Sequence, residues 1–153
     1  MSKIFDWAQN GDVGELSIFL LTNEECNLEV TNEKGYTPLL EATQNGHFEF
    51  CHSLLSAGAS PKATDGLGNN ALMLACLKGN LKIVKLLIQY GAKLGELNDS
   101  GMSAHDWAMA FNRKQVASFI SEKHKFQNNR FKSYLGLVKN GMKSISWPNR
   151  KSL

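Results

Sequence analysis

Chemistry in this chain would have to come from its cysteines, histidines or glycine loops. Cys51 and His52 are the residue types of a thiol–imidazole nucleophile. As neighbours on a helix, however, they diverge by about 100° and cannot pair with each other. The four histidines, His47, His52, His105 and His124, and the three cysteines, Cys26, Cys51 and Cys76, make no H-x₃-H or CxxC array. Those are the spacings that hold a zinc ion. Gly66-Leu67-Gly68 opens like a phosphate loop but lacks the downstream glycine and the flanking strand of a dinucleotide site. The expectation is a protein with no catalytic residues, cofactor, metal or small-molecule substrate.

The elements available to position a function form an array. Thr37 to His47, TPLLEATQNGH, returns as NALMLACLKGN, Asn70 to Asn80, and as SAHDWAMAFNR, Ser103 to Arg113, at an interval of 33 residues. Ahead of the copies stand Asn32-Glu33-Lys34-Gly35, Asp65-Gly66-Leu67-Gly68 and Asn98-Asp99-Ser100-Gly101, each with Asp or Asn three residues before Gly. A fixed period of this size marks stacked helical units, none of which buries its apolar face alone.

Residue types assign local structure within a unit. Gly35, Gly68 and Gly101 sit where a tight turn needs positive φ, and the preceding Asp or Asn can bond the turn backbone. Thr37, Asn70 and Ser103 are placed as N-caps, with Pro38 at the first helical position. The first helix should end near Gly46 and Gly79. A second follows with Phe48, Phe50, Cys51, Leu54 and Leu55, or Leu81, Ile83, Val84, Leu87 and Ile88, as its apolar stripe. Gly58 and Gly91 close it.

These residues resemble the ankyrin repeat family. The resemblance rests on Thr37-Pro38-Leu39-Leu40-Glu41-Ala42, the Asn45-Gly46-His47 turn, Leu86-Leu87-Ile88 and the Gly91-Ala92 ending. It implies an all-α solenoid of helix-turn-helix plus hairpin units. About four repeats are expected, over residues 1–31, 32–64, 65–97 and 98–130, the last degenerate, with Asn112 in place of the helix-turn glycine and His124 in place of Gly91. The repeat domain should span 1–124, and 125–153 should be a basic C-terminal extension, helical or flexible. His47 stands where the family commonly carries His and reads as structural. His105 takes a slot held by Leu39 and Leu72 in the preceding copies. Two readings are open for it, a half-exposed end-repeat residue or a polar contact to the tail.

The resemblance also implies where a partner protein binds: at hairpin tips and on the outer side of the first helices. The corresponding residues are Glu33, Lys34 and Tyr36, then Leu67 and Asn69, then Ser100 and Met102 on the hairpins. On the helices they are Gln44 and Asn45, Leu77 and Lys78, and Phe111. Small or polar residues would serve for stacking at all of these positions. Tyr36, Leu67, Leu77, Met102 and Phe111 are large and apolar or aromatic instead, a ladder of the kind that marks an interface. The leading expectation is a non-enzymatic protein-interaction module or adaptor.

Composition agrees with a folded body and a distinct tail. Apolar residues make up 42% of the 153, enough for a core. Residues 1–120 carry nine Lys/Arg against thirteen Asp/Glu, whereas 121–153 carry eight Lys/Arg against Glu122 alone. In the tail Phe131, Tyr134, Leu135 and Val138 recur at helical spacing. This segment could cap the last repeat, with His105 in contact, or fold on a partner, or lie on an anionic membrane surface, or remain disordered. The membrane reading makes a peripheral membrane-associated protein the alternative function. Specific nucleic-acid binding is not expected, because the lysines are spread out without a reader motif. The first twelve residues lack the apolar run of a secretory signal. No apolar run approaches the roughly 18 to 20 residues that span a bilayer. Together with odd, unpaired cysteines these features predict an intracellular, cytoplasmic protein, with the nucleus open, whose partners are intracellular proteins.

Overall fold

A computed structural model describes residues 3–23 and 26–125. The chain divides into two units, Met1–Ile120 and Ser121–Leu153. The helical array lies in the first. Of the second, residues 121–125 are described, and they are helical.

The first unit consists of helices in pairs. α1 is Lys3–Asn10, α2 Val13–Thr22, α3 Pro38–Asn45, α4 Phe48–Ser56, α5 Ala71–Lys78, α6 Leu81–Gln89 and α7 Ala104–Ala110. A last helical segment begins at residue 114. The starts of α3, α5 and α7 follow from their caps. Thr37 Oγ1 accepts from the Leu40 N–H at 3.3 Å and Asn70 Oδ1 from the Met73 N–H at 3.0 Å. Ser103 completes a capping box with Asp106. Each such cap is worth about 1 kcal/mol. α3 and α5 stop at Gly46 and Gly79, which take φ of 82° and 77°. In the fourth pair Asn112 holds the same left-handed turn at φ 55°, so the expected departure changes the residue and keeps the conformation. The absent counterpart of Gly91 also has a visible consequence: the last helix runs on through His124.

The hairpins between pairs are built three times on one plan. Asn32 Oδ1 accepts from the N–H groups of Lys34 and Tyr36, each at 3.0 Å. Asp65 Oδ1 does the same for Leu67 and Asn69, and Asn98 Oδ1 for Ser100 and Met102. Short antiparallel bridges join Thr64 to Asn70 and Leu97 to Ser103.

Two layers of helices result. First helices pack in the order α1, α3, α5, α7, and second helices in the order α2, α4, α6. Between the layers runs one core, in which Leu16, Phe50, Leu54, Leu72, Ile83 and Leu87 are fully buried. The apolar stripes expected from the sequence therefore face inward, Cys51 of α4 among them, and are joined by Leu86 of α6 and Cys76 of α5. In the second and fourth pairs the residue after the helix turn ties the pair to the one before. His47 Nε2 donates to the Gln9 carbonyl at 2.9 Å, and Arg113 Nε donates to that of Leu77 at 2.9 Å. His47 is structural, as the resemblance implied.

Candidate partner-binding face

Hairpins and first helices share one side of the array, because each hairpin leads into the N-terminus of a first helix. The hairpins are also joined to one another: the Asp99 N–H donates to the Leu67 carbonyl at 3.2 Å.

The structure sorts the sequence-predicted residues into three groups. Glu33, Lys34, Asn45, Leu67, Lys78, Ser100 and Phe111 are exposed. Leu67 keeps 67% and Phe111 47% of their surface in water. Tyr36, Gln44, Leu77, Met102 and His105 are half-buried. The apolar ladder is therefore only partly water-facing, since its Tyr36, Leu77 and Met102 rungs are half-buried. Asn69 requires correction. It is 6% exposed and cannot present its side chain to a partner. Its amide donates to Asp65 Oδ2 at 3.0 Å and its oxygen accepts from Asn98 Nδ2 at 2.8 Å, which makes it a strut between hairpins. Phe131, Tyr134, Leu135 and Val138 lie outside the described residues.

Sequence reasoning missed other exposed apolar residues. Met109 is 61% exposed, although its counterparts one, two and three units earlier, Cys76, Thr43 and Ala8, are fully buried. Each of those three lies on a helix covered by the next first helix. Ile18 and Leu21 on α2 and Leu97 beside the third hairpin are exposed as well. Counting register positions would have found Met109. Nothing in the periodicity marks Ile18 or Leu21.

The side chains that could do chemistry are kept apart. Cys51 is buried while His52 is exposed, its ring between Phe48 and Tyr90 at 6.4 and 6.1 Å. Burial pushes the Cys51 thiol up to about 11 and the Cys76 thiol up to about 12. Both are protonated and unreactive at neutral pH. All three cysteines are unpaired. Among the described residues no group of His, Cys, Asp and Glu is placed to hold a metal ion, and no helix is long and apolar enough to cross a membrane. A cleft of about 310 Å³ is lined by Lys78, Gly79 and residues 112–116, and no carboxylate or thiol is among them. It carries no acid–base pair.

Comparison with known proteins agrees with this architecture. A family model of three ankyrin repeats matches residues 54–131, and a single-repeat model matches 34–66. The ankyrin repeat protein YahD of Escherichia coli is 43% identical over 86 residues, which are 52% of this chain and 43% of that protein. An ankyrin repeat-containing protein of Treponema pallidum is 29% identical over 92 residues, 60% of this chain and 31% of that protein. Human ankyrin repeat and KH domain-containing protein 1 is 40% identical over 86 residues, 55% of this chain and 3% of that protein. The chain thus spans less than half the length of these relatives. Repeat register, caps and family models coincide, and the chain belongs to the ankyrin repeat family.

Proposed function

We propose that this chain is a non-enzymatic interaction module that holds a partner protein against its hairpin tips and the exposed side of its first helices. Ankyrin repeats in general bind other proteins, which supports the class of function. The observation that carries the assignment to this face is the exposure of Leu67 and Phe111. Stacking asks for no large apolar side chain at either position, and water disfavours both. Glu33, Lys34, Asn45, Lys78 and Ser100 are the polar rim around them, with Tyr36, Gln44, Leu77 and Met102 contributing their uncovered edges. An interface with a few apolar anchors inside a polar rim is the usual anatomy of protein recognition.

The test compares proteins labelled by proximity in cells around the wild-type chain and around the Leu67→Ala/Phe111→Ala variant. Loss of specific partners from a variant with an unchanged thermal melt supports the face. An unchanged set of partners overturns it.

The excess of eight Lys/Arg over one Glu in residues 121–153 favours a second reading, attachment to an anionic membrane surface. Co-sedimentation with anionic and neutral vesicles at two salt concentrations tests it, because such attraction fades with screening. Equal binding to both vesicle types, or none to either, counts against it.

A further inference from the structure

The hairpins and first helices of the last three repeats carry an excess of acidic charge. Glu33, Glu41, Asp65, Glu96, Asp99 and Asp106 stand there against Lys34, Lys78 and Arg113, whose guanidinium bonds the Leu77 carbonyl of α5. Within residues 32–120 the second helices and their following loops carry the opposite excess, with Lys62, Lys82, Lys85, Lys93 and Lys114 against Glu49. A sequence-wide balance hides this segregation, because only the stacking gathers each set on one side.

Four of these six carboxylates accept from neutral donors. Glu41 accepts from the side-chain amides of Asn32 and Asn45, each at 3.2 Å. Glu96 accepts from the Asn70 amide at 2.9 Å. Asp65 accepts from two backbone N–H groups and the Asn69 amide, and Asp106 from the hydroxyl and N–H of Ser103. Such bonds orient a carboxylate and stabilise its ionised form, yet bring no opposite charge. Glu33 and Asp99 are exposed at the hairpin tips. The field is felt by the aromatic residue beside it: the Tyr36 phenol is pushed above its ordinary value by burial and then by the charges of Asp65 and Glu41.

We propose that the partner of this face presents a cationic segment with one apolar side, its Lys or Arg side chains meeting these carboxylates and its apolar side chains meeting Leu67 and Phe111. This rests on the reading that the face is the binding face, and it adds the chemistry of the occupant. Complementary charge speeds encounter and excludes acidic competitors. The exposed apolar pair supplies the contact that an acidic surface alone would lack.

The experiment measures fluorescence anisotropy of a labelled amphipathic peptide of leucine and lysine, and of its twin with glutamate for every lysine, against the full chain at low and physiological salt. The lysine peptide should bind at least about tenfold tighter than its twin and weaken as salt rises. Glu33→Lys/Asp99→Lys should weaken it by about tenfold, since each reversal turns an attraction at an exposed site into a repulsion. Lys82→Glu/Lys93→Glu, on the other side, should leave it unchanged. Equal affinity for the twins, preference for the glutamate peptide, binding by neither, or equal response to both pairs of reversals overturns the inference. The partner set of the Leu67→Ala/Phe111→Ala variant is read separately, so a wrong charge assignment is distinguishable from a wrong face.

Discussion

The side-chain amide of Asn98 donates to the side-chain oxygen of Asn69 at 2.8 Å, and this buried bond joins the third hairpin to the second. Asn98 Oδ1 meanwhile accepts from two N–H groups of its own hairpin, those of Ser100 and Met102. One amide thus shapes a turn and locks it to its neighbour. Asn98→Ala should cost about 1–3 kcal/mol, because it leaves buried polar groups without partners. Ser100→Ala, exposed at the same tip, should change stability by less than about 0.5 kcal/mol. Urea denaturation of the two variants checks the order; equal midpoints would contradict it.

Position in the array should set the cost of a core defect. Leu72 and Leu87 are fully buried in the third pair, which packs on neighbours at both sides. Changing either to Ala should cost about 2–5 kcal/mol. Leu16 is buried as completely, but its pair packs on a single described neighbour. Leu16→Ala should cost less, as nearest-neighbour coupling in a repeat stack requires. Urea melts that place Leu16→Ala below the other two variants in stability would refute this.

The turn between α7 and the last helix depends on a residue that tolerates the left-handed region. Asn112 adopts φ 55°, the single non-glycine residue with positive φ among those described. Asn112→Ala should lose about 1 kcal/mol, whereas Asn112→Gly should stay within about 0.5 kcal/mol of wild type. At Gly79 a methyl group meets a further obstacle, since its Cβ would stand 2.7 Å from Arg113 Cδ. Gly79→Ala should therefore be more harmful than Asn112→Ala, by thermal melting.

The two buried thiols predict a loss of stability in alkali. Their pKa values rise from an ordinary 9.0 to about 11 for Cys51 and about 12 for Cys76. The folded state keeps its protons where the unfolded chain has already lost them. The contribution is full below about pH 9 and is lost as pH rises through the folded values of about 11 and 12. A Cys51→Ala/Cys76→Ala variant should show a flatter decline of urea midpoint above pH 9 than wild type. In native protein at pH 8 a thiol reagent should modify half-buried Cys26 first. Equal rates at the three thiols would show that the burial does not hold in solution.

Periodicity, caps and glycines were legible in the chain itself because they act locally. Thr37, Asn70 and Ser103 bond residues three positions away. Gly46 and Gly79 turn the backbone at their own position, and the stripes of α4 and α6 need only helical spacing to show which side is apolar. Exposure on the face was a different matter, since it depends on a neighbour one unit away. Asn69 looks like any polar hairpin residue until the Asn98 amide bonds it, and Tyr36, Leu77 and Met102 are half-buried in the folded array. Leu67 stays open over most of its surface, and Phe111 keeps 47% of its own in water although its ring stacks on Trp107. The segregation of carboxylates from lysines belongs to that level too. Charges of both signs interspersed along the repeats are gathered by element only when residues 33 positions apart are set side by side.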